Sequence, residues 1–395
     1  MRPPLFAALR MVPVLVAVAL LGSCVHEFPE PTTTGEFRLR LTFSTDMLPY
    51  DTTAAIYTSG AARRAAMKGV VASGTMRYII KLYRQADVKG SGGTALRAET
   101  LRRPVREYTL TRDVAEGYDT EFSLKAPAGD YAVLVWADLA ESGGRRYYDA
   151  SDFAAIALQG DHTGSTDHRD AFRGMARLEL TEKIEEQPVP TVDVAMERPL
   201  AKYEFVSTDL REFLGMAAAA AAAHEAAAKA KAPTDSAAPA AAPVRTVNLD
   251  DYRVEFRYVG FMPSVYSMAS DRPTDSSTGV TFKGKITPIS TGEASLGFDY
   301  AFVNGHESAV TVRIALYYAD GGGLISLSDP VSVPLRRSHH TVVRGRFLTQ
   351  RATGGVGIDP SFAGDHNIVL RTMYKDTIIS TISINNQISN PPKSN

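Results

Sequence analysis

Phe37-Arg38-Leu39-Arg40-Leu41-Thr42-Phe43 alternates apolar and polar residues without a break. A period of two with large apolar side chains on one side is the pattern of a strand that buries one face. The residues before it, Val25 to Gly35, hold Pro29, Pro31 and a run of threonines from Thr32 to Thr34. Such a stretch favours an extended tether over packed structure. The alternating strand is therefore the first element of the fold.

Strand-like segments recur at Arg77 to Tyr83, Val105 to Arg112, Thr120 to Lys125, Asp130 to Ala137, Arg177 to Glu182 and Val192 to Met196. Asp130 to Ala137 follows the turn signal Pro127-Ala128-Gly129. It is apolar on both faces, with Val133 and Val135 on one side and Leu134 and Trp136 on the other, so a central position is expected. A second group comprises Tyr252 to Val259, Val280 to Ile286, Ala294 to Val303, Val310 to Tyr318, Leu324 to Val333, Thr341 to Leu348 and Asn367 to Met373, punctuated by turn residues such as Asn304-Gly305 and Asp320 to Gly323. Many short strands with almost no helical periodicity predict an all-β chain of β-sandwiches, and the length allows two. The expected division is 24–35 tether, 36–199 first sandwich and 200–395 second sandwich. One insert interrupts the pattern. Ala217 to Ala223 is an unbroken alanine run, followed by Glu225 four residues before Lys229, and Pro233, Pro239 and Pro243 end it. Alanine and the Glu-to-Lys spacing favour helix, but no apolar face of any size exists. The segment 215–243 is read as a solvated insert, helical in part.

The N-terminus fixes the expected compartment. Arg2 and Arg10 bracket a basic start, Met11 to Leu21 is apolar except for Pro13, and Leu21-Gly22-Ser23-Cys24 follows. A charged start, a short apolar core and small residues at the end describe a secretory signal over residues 1–23. Leu-Gly-Ser-Cys is similar to a bacterial lipobox, in which the cysteine becomes an acylated N-terminus. Cys24 is the only cysteine, so an intrachain disulfide is excluded. The expectation is an outer-membrane lipoprotein at the cell surface, held by lipid on Cys24. A formal net charge of -1 and scattered basic pairs, among them Arg63-Arg64, argue against a nucleic-acid partner.

Several motifs together resemble a known family. Met76 to Arg84, Tyr108 to Asp113, Gly129 to Asp138, Tyr147 to Phe153, Thr166 to Gly174 and the Gly-rich stretch Gly354 to Ile368 are similar, in content and order, to fimbrillin-like, type V pilus-related surface lipoproteins of Bacteroidales. His366 stands where that family would place an aromatic residue, and the alanine-rich insert departs from its pattern. The resemblance implies two tandem transthyretin-like β-sandwiches. It also implies a structural role, as a pilus subunit or anchor that meets other fimbrillin-like subunits and assembles by donor-strand exchange. In that family proteolysis removes the first strand, and Arg63 and Arg64 are the positions that would be cut here. A candidate donor strand is the tail from Thr377 to Ile388, where Ile378, Ile382, Ile384 and Ile388 share one face at period two. The same residues also suit the last strand of the second sandwich, folded back on Asn367 to Met373.

Chemistry is sparse. The richest polar cluster runs from Asp161 and His162 to Asp167, His168 and Asp170, and its spacing fits no metal-ligand pattern; turns and a salt bridge from Arg169 account for it. His339-His340 reads as a solvated loop. No nucleophile elbow, zinc-protease helix or phosphate loop occurs. The expectation is a protein without catalytic residues, metal or cofactor. The second functional reading is a glycan-binding outer-membrane lipoprotein of a nutrient-uptake system, for which Trp136 and the tyrosines at 147–148 and 317–318 would be the candidate aromatics.

Overall fold

Alternation in the first strand becomes layer packing. The structure is a computed structural model that describes residues 34–43, 73–85, 96–181, 188–230, 247–350 apart from 306 and 322, and the strands Asn367–Thr372 and Ile378–Ser383. Strand β1 (Thr34–Phe43) buries Phe37, Leu39 and Leu41 completely and exposes Arg38 and Arg40. It lies between β4 (Thr120–Pro127), antiparallel to it, and β9 (Thr191–Met196), parallel to it. The facing sheet has the order β3 (Arg106–Asp113), β2 (Thr75–Arg84), β5 (Gly129–Ala140), β8 (Ala171–Leu180). Phe37, Leu39 and Leu41 meet Tyr78, Ile80, Val133 and Val135 in the core between the layers. The layers approach closely at Gly174, where an added Cβ would sit 2.5 Å from Val194 Cγ1 and 2.9 Å from the Ala195 carbonyl oxygen.

The second half repeats this wiring. Strand β10 (Leu200–Ser207) lies between β16 (Ala294–Phe302), antiparallel, and β20 (His339–Gly345), parallel. The facing sheet has β14 (Thr281–Gly284), β11 (Tyr252–Tyr258) and β17 (Glu307–Tyr318), with β18 (Leu324–Leu327) and β19 (Val331–Arg336) both paired to β17. Strand for strand, β10, β16 and β20 stand as β1, β4 and β9 do, and β14-β11-β17-β19 as β3-β2-β5-β8. Phe205, Phe256, Leu296, Val312 and Val343 fill the second core. Beyond the repeat, β15 (Thr287–Pro288) extends one end of the β10 sheet, and β21 (Asn367–Thr372) and β22 (Ile378–Ser383) extend the other.

A further sheet joins the halves. Strands β6 (Tyr148–Asp149) and β7 (Ile156–Leu158) pair with each other, and β7 pairs with β12 (Phe261–Ser267), which pairs with β13 (Arg272–Thr278). Behind it lies a third core. Ile79, Tyr83, Leu134 and Trp136 on the outer face of the first sandwich pack with Tyr148, Phe153, Tyr266, Tyr300 and Phe302. The two-faced apolar pattern of β5 has this cause: one face meets the sandwich core and the other meets the junction. The expected strand list lacked β10, β12 and β13. Strand β10 is buried at all eight positions and so shows no alternation, while β13 reads Arg-Pro-Thr-Asp-Ser-Ser-Thr and carries no large apolar side chain.

Helix α1 (Leu210–Ala230) starts five residues before the expected insert. Its first turn is docked, with Leu210 and Phe213 buried and the Phe213 ring edge-on to Tyr252 at 4.9 Å. From Ala218 to His224 every residue is exposed, as a helix without an apolar stripe must be. Residues 231–243 of the insert lie outside the described residues. Replacing residues 216–246 by a short Gly/Ser linker, with Leu210 and Phe213 retained, is expected to move the melting temperature by no more than about 2 °C. A larger fall in a thermal melt would show that the segment packs against the sandwich.

Candidate functional sites

Two places carry more than core packing: the seat of the first strand and the junction between the halves. Strand β1 is held by ladders on both sides and by its three buried apolar residues. Its side-chain ion pairs are peripheral: Arg40 reaches Glu121 and Asp193, each at 3.3 Å, with all three groups largely exposed. Such pairs contribute little. Strand β10, in the matching position, is fastened differently. Lys202 Nζ meets Asp167 at 2.8 Å, Tyr203 donates to the Tyr258 hydroxyl at 2.6 Å, and Glu204 stands 3.5 Å from His340. Two strands of equal topology thus differ in what ties them down, and among the described residues fully buried polar side-chain contacts belong only to the second.

The polar cluster at 161–170 disperses over the junction. Asp167 accepts from Lys202 and from the Tyr300 hydroxyl at 2.6 Å. Asp170 and Arg198, both buried, form a two-pronged pair at 2.6 and 2.8 Å. His168 turns to the Ser73 carbonyl at 3.0 Å. His162 Nε2 and Arg169 Nη1 converge on the carboxylate of Asp299 at 2.7 and 2.9 Å. Tyr258 donates to the same carboxylate at 2.7 Å and receives from Tyr203. Burial alone would raise the Asp299 carboxyl; the charges of Arg169 and His162, together with the hydrogen bonds, outweigh it and hold it below the usual carboxylate range. Burial pushes Tyr203 and Tyr258 well above ordinary phenols, so both remain neutral donors. Among the described residues no three metal-ligating side chains assemble.

A second polar knot fastens the far side. Asp271, in the turn between β12 and β13 with φ 53°, accepts from Arg173 of β8 and from Arg337 of the β19–β20 turn, each at 2.8 Å, and from the Tyr266 hydroxyl. Burial would raise this carboxyl too, but Tyr266, Arg337 and Arg173 bring it below its usual value.

Beside the first knot a cavity of about 900 Å³ opens. One wall is the stretch from Ala157 to Thr163, and the other runs from Asp275 to Lys283. Strands β7 and β12 pair only at Ala157–Val265 and Ile156–Tyr266. Ser264 and Met262 lie beyond the last pair and line the opening. His162 and Arg169 also line it, with their side chains 11% and 3% exposed.

Cys24, Arg63, Arg64, Ile384 and Ile388 lie outside the described residues. Ile378 and Ile382 fall in β22, whose backbone pairs antiparallel with β21, Ile382 opposite Ile368 and Ile378 opposite Arg371. Trp136, Tyr147 and Tyr148 are buried in the third core and form no exposed platform, while Tyr318 is 44% exposed. The expected solvated loop at His339-His340 is instead the start of β20. His340 is fully buried, and burial lowers the pKa of His339. Asp299 and Asp271, on which both knots turn, were missed by sequence reading. For Asp299 the available signal was a carboxylate set between Phe298 and Tyr300 in an otherwise apolar strand.

The sequence matches a family of unknown function, DUF6562, over residues 31–386. The chain belongs to that family. No match was found among the curated proteins. Solved structures similar to this DUF6562 member include a candidate adhesin from Bacteroides thetaiotaomicron, at 10% identity over 90% of this chain and 99% of that one, with a TM-score of 0.40. A fimbrial assembly protein from Parabacteroides distasonis aligns at 8% identity over 86% and 96%, with a TM-score of 0.35. The fimbrial anchor protein of Porphyromonas gingivalis aligns at 8% identity over 78% and 90%, also with a TM-score of 0.35.

Proposed function

We propose that this DUF6562 member is a lipid-anchored cell-surface protein, a subunit or anchor of a fimbria, whose first strand is exchangeable. The observation that carries the reading is the seat of β1. The first described strand sits inside a sheet, makes a ladder on each side, fills three apolar pockets and, among the described residues, has no fully buried polar side-chain tie. Its loss opens a groove between β4 and β9 with main-chain groups on both rims. An incoming strand with alternating apolar residues satisfies both the ladders and the pockets. Arg63 and Arg64 stand between β1 and β2 in sequence, so cleavage there severs β1 from the rest of the chain. The lipobox-like Leu21 to Cys24 supports attachment through acyl chains on Cys24. The tail from Thr377 to Ile388 is the proposed donor. Its first half, β22, is an end strand with a single partner ladder among the described residues, so release costs one ladder. Ile384 and Ile388 would fill the further pockets.

Limited trypsin treatment of the membrane-bound chain, followed by sizing, tests the reading. The expected result is cleavage after Arg63 or Arg64, displacement of β1 by a synthetic peptide of residues 377–388, and larger assemblies. Incorporation of labelled fatty acid should be lost in Cys24→Ala. Cleavage with β1 retained and no assembly would sink strand exchange, and unchanged labelling would sink the anchor.

A further inference from the structure

We propose that the junction cavity binds a neutral saccharide. Its volume, about 900 Å³, lies within the range of small-molecule sites, which favour the meeting of domains. The argument begins with β13. This strand pairs only with β12 among the described residues, adds nothing to any of the three apolar cores and is largely exposed. Packing therefore does not explain its run of Thr274, Asp275, Ser276, Ser277 and Thr278. Four of those five residues line the cavity. Hydroxyls and carboxylates in short side chains can accept from, and in part donate to, the hydroxyls of a sugar, and they lose little conformational freedom in doing so.

The opposite wall supplies the complementary groups. Gln159 offers an amide, which both donates and accepts, and Asp161 offers a second carboxylate. Half-buried Leu158 and Val265 give an apolar strip suited to the C–H face of a sugar ring. The floor is fixed beforehand, because His162 and Arg169 are locked on Asp299. Arg169 Nε is buried and has no hydrogen-bond partner among the described residues. Charge selects the ligand. Glu255 is matched by Arg257 at 2.6 Å and the Arg169 cation by Asp299, which leaves Asp161 and Asp275 against one lysine, Lys283. A lining with no surplus of unmatched cations gives phosphate, sulfate and uronate nothing to bind, and accepts polyhydroxyl ligands without charge.

The test is titration calorimetry of the full chain in detergent with maltotriose, mannotriose, N-acetyllactosamine, sialyllactose and trigalacturonate. Saturable binding of at least one neutral probe is expected, with the two anionic probes at least ten-fold weaker. Ser277→Trp, which fills the opening from an exposed strand, should abolish binding, and Asp275→Asn should weaken it at least three-fold. Both variants should melt with the parent, as changes on an exposed edge strand do. The proposal is overturned if no neutral probe binds at millimolar concentration, or if an anionic probe binds best. It is equally overturned if Ser277→Trp binds as the parent does, or if a peptide library selects an extended segment that Ser277→Trp blocks while no sugar competes.

Discussion

Replacing Asp299 by alanine is expected to cost about 3–5 kcal/mol of stability, the usual result of removing one partner from a buried ion pair. The carboxylate is fully buried and receives Arg169, His162 and Tyr258 together. Without it the Arg169 guanidinium, with its side chain 3% exposed, remains charged and unmatched in the junction. Denaturant unfolding of Asp299→Ala measures the loss. The double replacement Asp299→Leu with Arg169→Met should recover most of it, because the damage comes from the orphaned cation rather than from the missing pair. The same carboxylate sets an acid limit. Its folded pKa lies below the unfolded value, so its contribution is complete above the ordinary carboxylate pKa of about 3.9. The contribution falls away as pH drops through the lower folded value. Asp271 is depressed in the same direction, so both knots should loosen together below about pH 4. If Asp299→Ala unfolds within 1 kcal/mol of the parent, roughly the effect of a surface substitution, the junction network is not structural.

Trp136→Ala should cost a similar amount, about 3–5 kcal/mol, for a different reason. The ring is fully buried in the third core, edge-on to Tyr148 at 5.5 Å and near Tyr266 at 6.2 Å. Its removal leaves a cavity walled by both halves of the chain. The indole N–H also donates to Asp138 at 3.0 Å, a buried carboxylate that Arg77 holds from the other side. Trp136→Phe keeps most of the volume and loses only that hydrogen bond, so it should cost about 1–3 kcal/mol. Because the third core joins the halves, Trp136→Ala should also split one unfolding transition into two. A single transition at unchanged denaturant concentration would contradict the role given to this ring.

The sandwiches were legible where burial is one-sided or where both faces are plainly apolar. Phe37 to Phe43, Arg77 to Tyr83 and Asp130 to Ala137 show their strands directly, since side-chain period and face burial coincide. Strand β10 was not legible, because Lys202 and Glu204 break its apolar run and yet are buried against Asp167 and His340. Their partners lie 35 and 136 positions away, beyond the reach of any local pattern. The β12–β13 pair failed for the opposite reason: Pro263, Pro273 and a string of hydroxyls resemble a loop, and only the junction makes them a sheet. The cluster at Asp161 to Asp170 was visible as a polar run, but the carboxylate that organises its centre arrives from Asp299.

The wiring has a mechanical consequence. In the first sandwich the entering strand lies parallel to the leaving strand, β1 beside β9. Tension on the chain pulls the start of one strand and the end of its neighbour in opposite directions. That geometry loads every rung of the ladder at once in shear, whereas a hairpin under the same pull opens rung by rung like a zip. Forced unfolding depends on the rate of barrier crossing rather than on equilibrium stability. A modest thermodynamic margin can therefore coexist with high resistance to stretching.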